Sequence, residues 1–181
     1  EIAEVEYIPL ETTEKSIAMI HIYPYISDKY IVNCDLNGPV HFYDRKGKHL
    51  YAIHALGKGP QEYYGIVAFT VDFPKEEFYI YDLQKLQVYS FTGEWKRTLK
   101  VPEGMRYDNM FNYDEHYLIC ENAFHDWWNF ENLSNDKTPY YLINKETGTP
   151  TPLDIIVENR ISKTMEKRIE HIDAQRARRH F

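Results

Sequence analysis

The 181 residues suffice for one domain with a substantial core and are too few for two large ones. Hydrophobic residues at 43% and charged ones at 27% keep the chain clear of the compositions that stay disordered. The net charge of −7 excludes a general nucleic-acid binder, which needs a basic face. Sixteen Tyr, nine Phe and three Trp suit pleated, half-buried sheet surfaces, so an all-β chain is expected.

In chain order, residues 4–10, from Glu4 to Leu10, read as a lone strand-like segment. Candidate strands follow around Ala18–Tyr25 and Tyr30–Asp35, and then comes a hairpin from Val40 through Gly47. The same order recurs with strands around Ile66–Phe73 and Phe78–Asp82 and a hairpin from Leu86 through Gly93. An offset of 46 pairs Val40 with Leu86, Tyr43 with Tyr89 and Gly47 with Gly93. A third, looser copy runs through Asp108–Tyr113, His116–Glu121 and a hairpin from Tyr140 to Gly148, whose glycine lies 55 positions after Gly93. Each hairpin needs a turn residue that tolerates positive φ, which the glycine supplies.

Four short strands per period of 46 residues, joined by polar turns, form the pattern of a β-propeller blade. Three blades are expected, at about 17–56, 66–101 and 108–157. The tail at 158–181 differs: seven Lys and Arg against four Asp and Glu give it +3, leaving −10 on the remainder. Its Ile161, Met165, Ile169 and Ile172 share one helical face, so it reads either as a short amphipathic helix or as a terminus ordered only by a partner.

Between the first two blades stands Gly57-Lys58-Gly59-Pro60-Gln61-Glu62-Tyr63. Here Pro60 fixes φ, Glu62 is placed to accept loop amides, and Tyr63 is expected to pack inward. This loop, with the Val5-Glu6-Tyr7-Ile8-Pro9-Leu10 segment and the Phe42–Gly47 hairpin, resembles the six-bladed β-propeller lipoproteins of gut Gram-negative anaerobes, allied to NHL-repeat and TolB-like propellers. The resemblance covers residues 4–101 well and 108–157 loosely, and departs at Gln61, where the family usually has Gly. It implies a place in the periplasm or on the outer-membrane surface. No signal-peptide pattern stands at Glu1 and no stretch approaches the length of a membrane-spanning helix.

In a four-strand meander, the loop entering the first strand and the loop joining the second to the third emerge on one face. The Gly57–Tyr64 loop is of the first kind, and the long connection at 122–138 is of the second. There His125, Trp127, Trp128 and Phe130 offer flat apolar surfaces beside Asp126, Asn129 and Asn132, a mixture suited to a glycan or a peptide. The same Trp pair alternatively plugs the space between blades. Asp35, Asp82 and Glu121, one per blade, read either as turn residues bonding local amides or as a cation-lining set, and the turn role is the simpler. The eight histidines show no metal-ligand spacing, Cys34 and Cys120 read as buried thiols, and neither a metal nor a cofactor is called for.

The chain is therefore expected to be a partial β-propeller acting as a binding or scaffolding module. The alternatives are an enzyme on the central face, such as a lyase or hydrolase, and a structural protein that pairs through blade edges. Six blades would take roughly 280 residues, so a homo-oligomer or a missing C-terminal half is expected to complete the ring.

Overall fold

The computed structural model describes residues 5–14, 16, 24–35, 38–122 and 140–155. Twelve strands fall into three four-stranded antiparallel sheets, each a meander in chain order, and no helix occurs among the described residues. The first blade holds β1 (Tyr25–Ile26), β2 (Tyr30–Cys34), β3 (Val40–Asp44) and β4 (His49–Ile53). The second holds β5 (Ala68–Asp72), β6 (Glu77–Tyr81), β7 (Leu86–Ser90) and β8 (Trp95–Leu99). The third holds β9 (Tyr107–Asn112), β10 (Tyr117–Asn122), β11 (Tyr140–Asn144) and β12 (Pro150–Pro152). The all-β partial propeller read from the repeat is the fold observed. The tail at 158–181 lies outside the described residues.

The hairpin glycines do what the repeat requires. Gly47, Gly93 and Gly148 sit at φ of 83°, 86° and 74°, a region that costs a residue with a Cβ roughly 1–2 kcal/mol. The turn acceptor is equally regular: the side-chain oxygen of Asp44 takes the amides of Lys46 and Lys48, and that of Asn144 takes those of Glu146 and Thr147.

The middle blade is buried on both sides, which explains why its strands read as continuous apolar runs rather than alternating ones. One face, with Phe69, Val71, Phe78, Ile80 and Tyr89, packs on Val32, Cys34, Val40 and Phe42 of the first blade. The other, with Tyr79, Tyr81, Leu86 and Val88, packs on Tyr107, Met110, Leu118, Cys120 and Ile143 of the third. Rings do much of the filling: Phe78 stacks on Tyr89 at 5.3 Å, and Phe42 meets Phe91 edge-on at 5.0 Å. Innermost strands are tied as well, because Tyr25 Oη donates to the Phe69 carbonyl at 2.7 Å and Thr70 Oγ1 accepts the Asn112 amide at 3.0 Å. Cys34 and Cys120 are buried free thiols whose pKa values burial pushes up.

The segment at 5–10 pairs with no strand among the described residues; it is held through Glu11, whose amide donates to the Gly47 carbonyl at 2.8 Å and whose carboxylate accepts the His49 amide at 2.9 Å.

Candidate functional site

The connections β2–β3, β4–β5, β6–β7, β8–β9 and β10–β11 share one face of the blades, and the hairpin turns with Gly47, Gly93 and Gly148 share the other. The Gly57–Tyr63 loop is on the first face and is bonded in unusual completeness. Gln87 and Tyr89 are spaced two apart along β7 and so point to one side of the sheet, and Lys85 stands just ahead of that strand. Lys85 Nζ donates to the Gly59 carbonyl at 2.9 Å, Gln87 Nε2 to the Pro60 carbonyl at 2.8 Å and Tyr89 Oη to the Gln61 carbonyl at 2.8 Å. Three consecutive loop carbonyls are thus read by two alternate residues of β7 and the residue just ahead of it. Gln87 is wholly buried, and its Oε1 accepts from Trp95 Nε1 at 2.9 Å and from Thr98 Oγ1.

Within the loop, the Glu62 carboxylate accepts the Gly59 amide at 2.7 Å and lies where a Cβ on Gly57 would fall, 2.0 Å from Glu62 Oε2. Space, not φ, demands glycine at Gly57, since neither it, Gly59 nor Gln61 has positive φ. Pro60 and Gln61 form the exposed tip, and Tyr63 is fully buried with its hydroxyl on the Gly38 carbonyl at 3.0 Å.

Beside this loop, Asp82 Oδ1 accepts the amides of Gln84 and Lys85 at 3.1 and 3.0 Å, while Oδ2 accepts the Tyr64 amide at 3.1 Å. The consequence is a clamped turn in which Leu83 adopts φ of 76°, a region costly for a side chain of its size. Leu83 is 51% exposed and neighbouring Tyr64 67%, with Leu56 exposed on the same loop. A strained leucine and a free tyrosine on rigid turns make an apolar spot on the loop face. The sequence held one signal for it, the Asp82 turn; exposure and the sign of φ were not legible.

His125, Trp127, Trp128, Asn129 and Phe130 lie outside the described residues. Their connection leaves Asn122 and returns at Tyr140, both at the loop-face ends of their strands.

Two further polar clusters belong to the framework. On the opposite face, Lys145 Nζ bonds Asp72 Oδ2 at 2.6 Å and also the Asp114 carbonyl, linking the third blade to the second. Nearby, Arg97 grips Glu77 with two bonds of 3.1 and 3.0 Å and reaches the Lys145 carbonyl at 3.0 Å. Burial opposes ionisation of Glu77, but Arg97 and the Tyr79 hydroxyl outweigh it and hold the carboxyl below its usual value. At the first blade, His41 Nδ1 and His49 Nε2 lie 3.3 Å apart, beside a cavity also lined by Glu14, Tyr51 and His54. Burial, then His49 and His54, lower the His41 pKa. No group of three His, Cys, Asp or Glu side chains able to hold a metal occurs among the described residues.

Residues 2–152 match the model of a family described as a domain of unknown function, DUF4934, and the chain belongs to that family. No curated protein matches. Among solved structures, the chain is similar to the crystal structure of a "putative exported protein" from Bacteroides fragilis NCTC 9343, with a TM-score of 0.66 and 16% identity over 86% of this chain. It spans 43% of that protein's length. Weaker likenesses are to the WD40 domain of Neurospora crassa Pan2, at a TM-score of 0.47, 14% identity and coverage of 72% of this chain and 35% of that one. The β-propeller domain of Myceliophteria thermophila Cps50 follows at 0.46, 8%, 80% and 41%.

Proposed function

We propose that the chain is a ligand-binding module of the cell envelope, taking a glycan or an extended peptide on its loop face, and that it works as a scaffold without catalysis. The observation that carries this reading is the apolar spot of Tyr64 and Leu83 on fully bonded turns. Side chains held exposed by a rigid backbone lose little freedom when a ligand covers them. Asn122 and Tyr140, which flank residues 123–139, stand at this same face, so Trp127, Trp128 and Phe130, with His125 and Asn129, are proposed to extend the surface. The buried pair Asp72 and Lys145 and the half-buried pair Glu77 and Arg97 are engaged within and across the second and third blades, which favours a framework role for them over a chemical one. The envelope location draws support from the exported description of the Bacteroides protein and from the lipoprotein resemblance.

Glycan and peptide arrays probed with the purified chain test the reading, followed by titration of any hit against two double variants, Tyr64→Ala/Leu83→Ala and Trp127→Ala/Trp128→Ala. At least tenfold weaker binding in both folded variants is expected. Full affinity in both would remove the loop face from consideration.

A further inference from the structure

The outward face of the third blade is patterned like a packed one. Met110, Leu118, Cys120 and Ile143 point to the second blade, so the residues that alternate with them point away from it. The strand register sets three of these in one row, with Phe111 opposite Ile119 and Ile119 opposite Leu142. Asn109, Glu121 and Tyr140 form the row beside it by the same pairings. An apolar row across three strands suits burial, yet Phe111 is 52% exposed and Tyr113, just past the end of β9, is 60% exposed. The first blade treats its own outward face differently. There Ile31, Asn33, His41 and Tyr43, which alternate with the residues packed on the second blade, are all buried. The Tyr43 hydroxyl donates to the carbonyl of Ser16, in the chain ahead of the first strand. One end of the blade stack is therefore covered, while the described residues leave Phe111 and Tyr113 bare at the other.

Reach, dimensions and charge all single out residues 158–181 as the occupant. The described chain leaves the third blade at Ile155, shortly after β12. Residues 156–160 can span up to about 17 Å when extended, against about 14 Å across the four strands of a blade. Ile161 can thus be set anywhere on the outward face of the same blade. As a helix, residues 161–172 would be about 18 Å long, the length of a five-residue strand at about 17 Å. Ile161, Met165, Ile169 and Ile172 fall on one side of that helix. So short a helix is marginal alone in water, and most of its stability has to come from packing its apolar side. Charge favours the same match. Residues 107–122 and 140–155 carry six Asp and Glu against one Lys, a net of −5, whereas the tail carries seven Lys and Arg against four Asp and Glu, a net of +3.

We propose that residues 161–172 form an amphipathic helix that docks on the outward face of the third blade of the same chain. Its Ile161, Met165, Ile169 and Ile172 cover the row of Phe111, Ile119 and Leu142, and its basic residues lie over an acidic blade. The tail is then an intramolecular cap that closes this sheet face to other chains.

The test compares amide hydrogen exchange of residues 161–172 in the full chain with that in a synthetic peptide of residues 158–181. Exchange in the full chain is expected to be slower by at least about tenfold, and equally so at every protein concentration. Two double variants of the full chain, Phe111→Ser/Tyr113→Ser on the blade and Met165→Asp/Ile169→Asp on the tail, are each expected to restore the peptide's rate. Amides of β9 and β10, read in the same experiment, report whether the third blade stays folded, and the tail variant leaves the sequence of the blade untouched. Exchange as fast in the full chain as in the peptide would overturn the proposal. Protection that survives Phe111→Ser/Tyr113→Ser in a folded blade would overturn it too, because the helix would then lie elsewhere. Protection that grows with protein concentration would put the tail of a second copy on this face and overturn the intramolecular cap.

Discussion

Lys145 and Asp72 form an ion pair of 2.6 Å with side-chain exposures of 0% and 3%, joining two blades that have no covalent link at that end. The equivalent position in the adjoining blade pair holds Phe91, so the fold accepts either an ion pair or an apolar plug at this point. Removing one partner strands the other charge. Lys145→Met or Asp72→Leu alone is expected to cost about 3–5 kcal/mol, and the double variant much less than the sum. Urea denaturation of the four proteins gives the cycle; additive losses would show that the two side chains do not depend on each other.

Gln87 is the second point at which a single side chain holds separate parts together. Its amide serves the Pro60 carbonyl on one side and the Trp95 indole on the other. Gln87→Leu leaves buried donors and acceptors unpaired, and a loss of about 2–4 kcal/mol is expected. Two local readouts accompany it: faster trypsin cleavage after Lys58 in the loop, and a red shift in Trp95 emission. Unchanged cleavage would mean that the loop keeps its shape without β7.

The architecture was legible because blades repeat. Gly47, Gly93 and Gly148 fall at matching points, and the strand between each acidic turn and its hairpin is apolar enough to read alone. Less legible was everything that depends on which blade faces which. Lys85, Gln87 and Tyr89 alternate into and along β7, a pattern visible in the sequence, but their partners are carbonyls of residues 59–61, which carry no side-chain signature. The pairing of Lys145 with Asp72 spans 73 positions and has no counterpart in the other blade pair, so no repeat announces it. The segment at 4–10 looks like a strand by composition; residues 5–10 find no paired strand among the described residues, while Ile8 and Pro9 lie against Gly47.

Glycine substitutions separate the cost of φ from the cost of crowding. Gly104 has φ of 79° with nothing within 4 Å of a Cβ, so Gly104→Ala meets only the backbone penalty, about 1–2 kcal/mol. Gly148→Ala meets the same penalty and also the Lys100 backbone, and should cost at least about 1 kcal/mol more. Thermal melts of both variants, compared with the parent, check the order. Equal losses would mean that the second and third blades part easily at this contact.

The first blade should respond to acid through His41. Burial and its two histidine neighbours place its folded pKa below the ordinary 6.5, so the unfolded chain binds the proton more readily. Stability is then unaffected at high pH, begins to fall as pH drops through the unfolded value near 6.5, and stops falling once pH is below the folded value. Glu77 has the same sign in a lower window: its stabilisation is present above the unfolded carboxyl range and is lost as pH falls through its depressed folded value. The melting temperature should therefore decline in two stages on acidification, and His41→Leu should flatten only the upper one. NMR titration of the His41 ring supplies the direct check. A folded pKa above 6.5 would reverse the sign and show that the buried ring gains a partner on protonation.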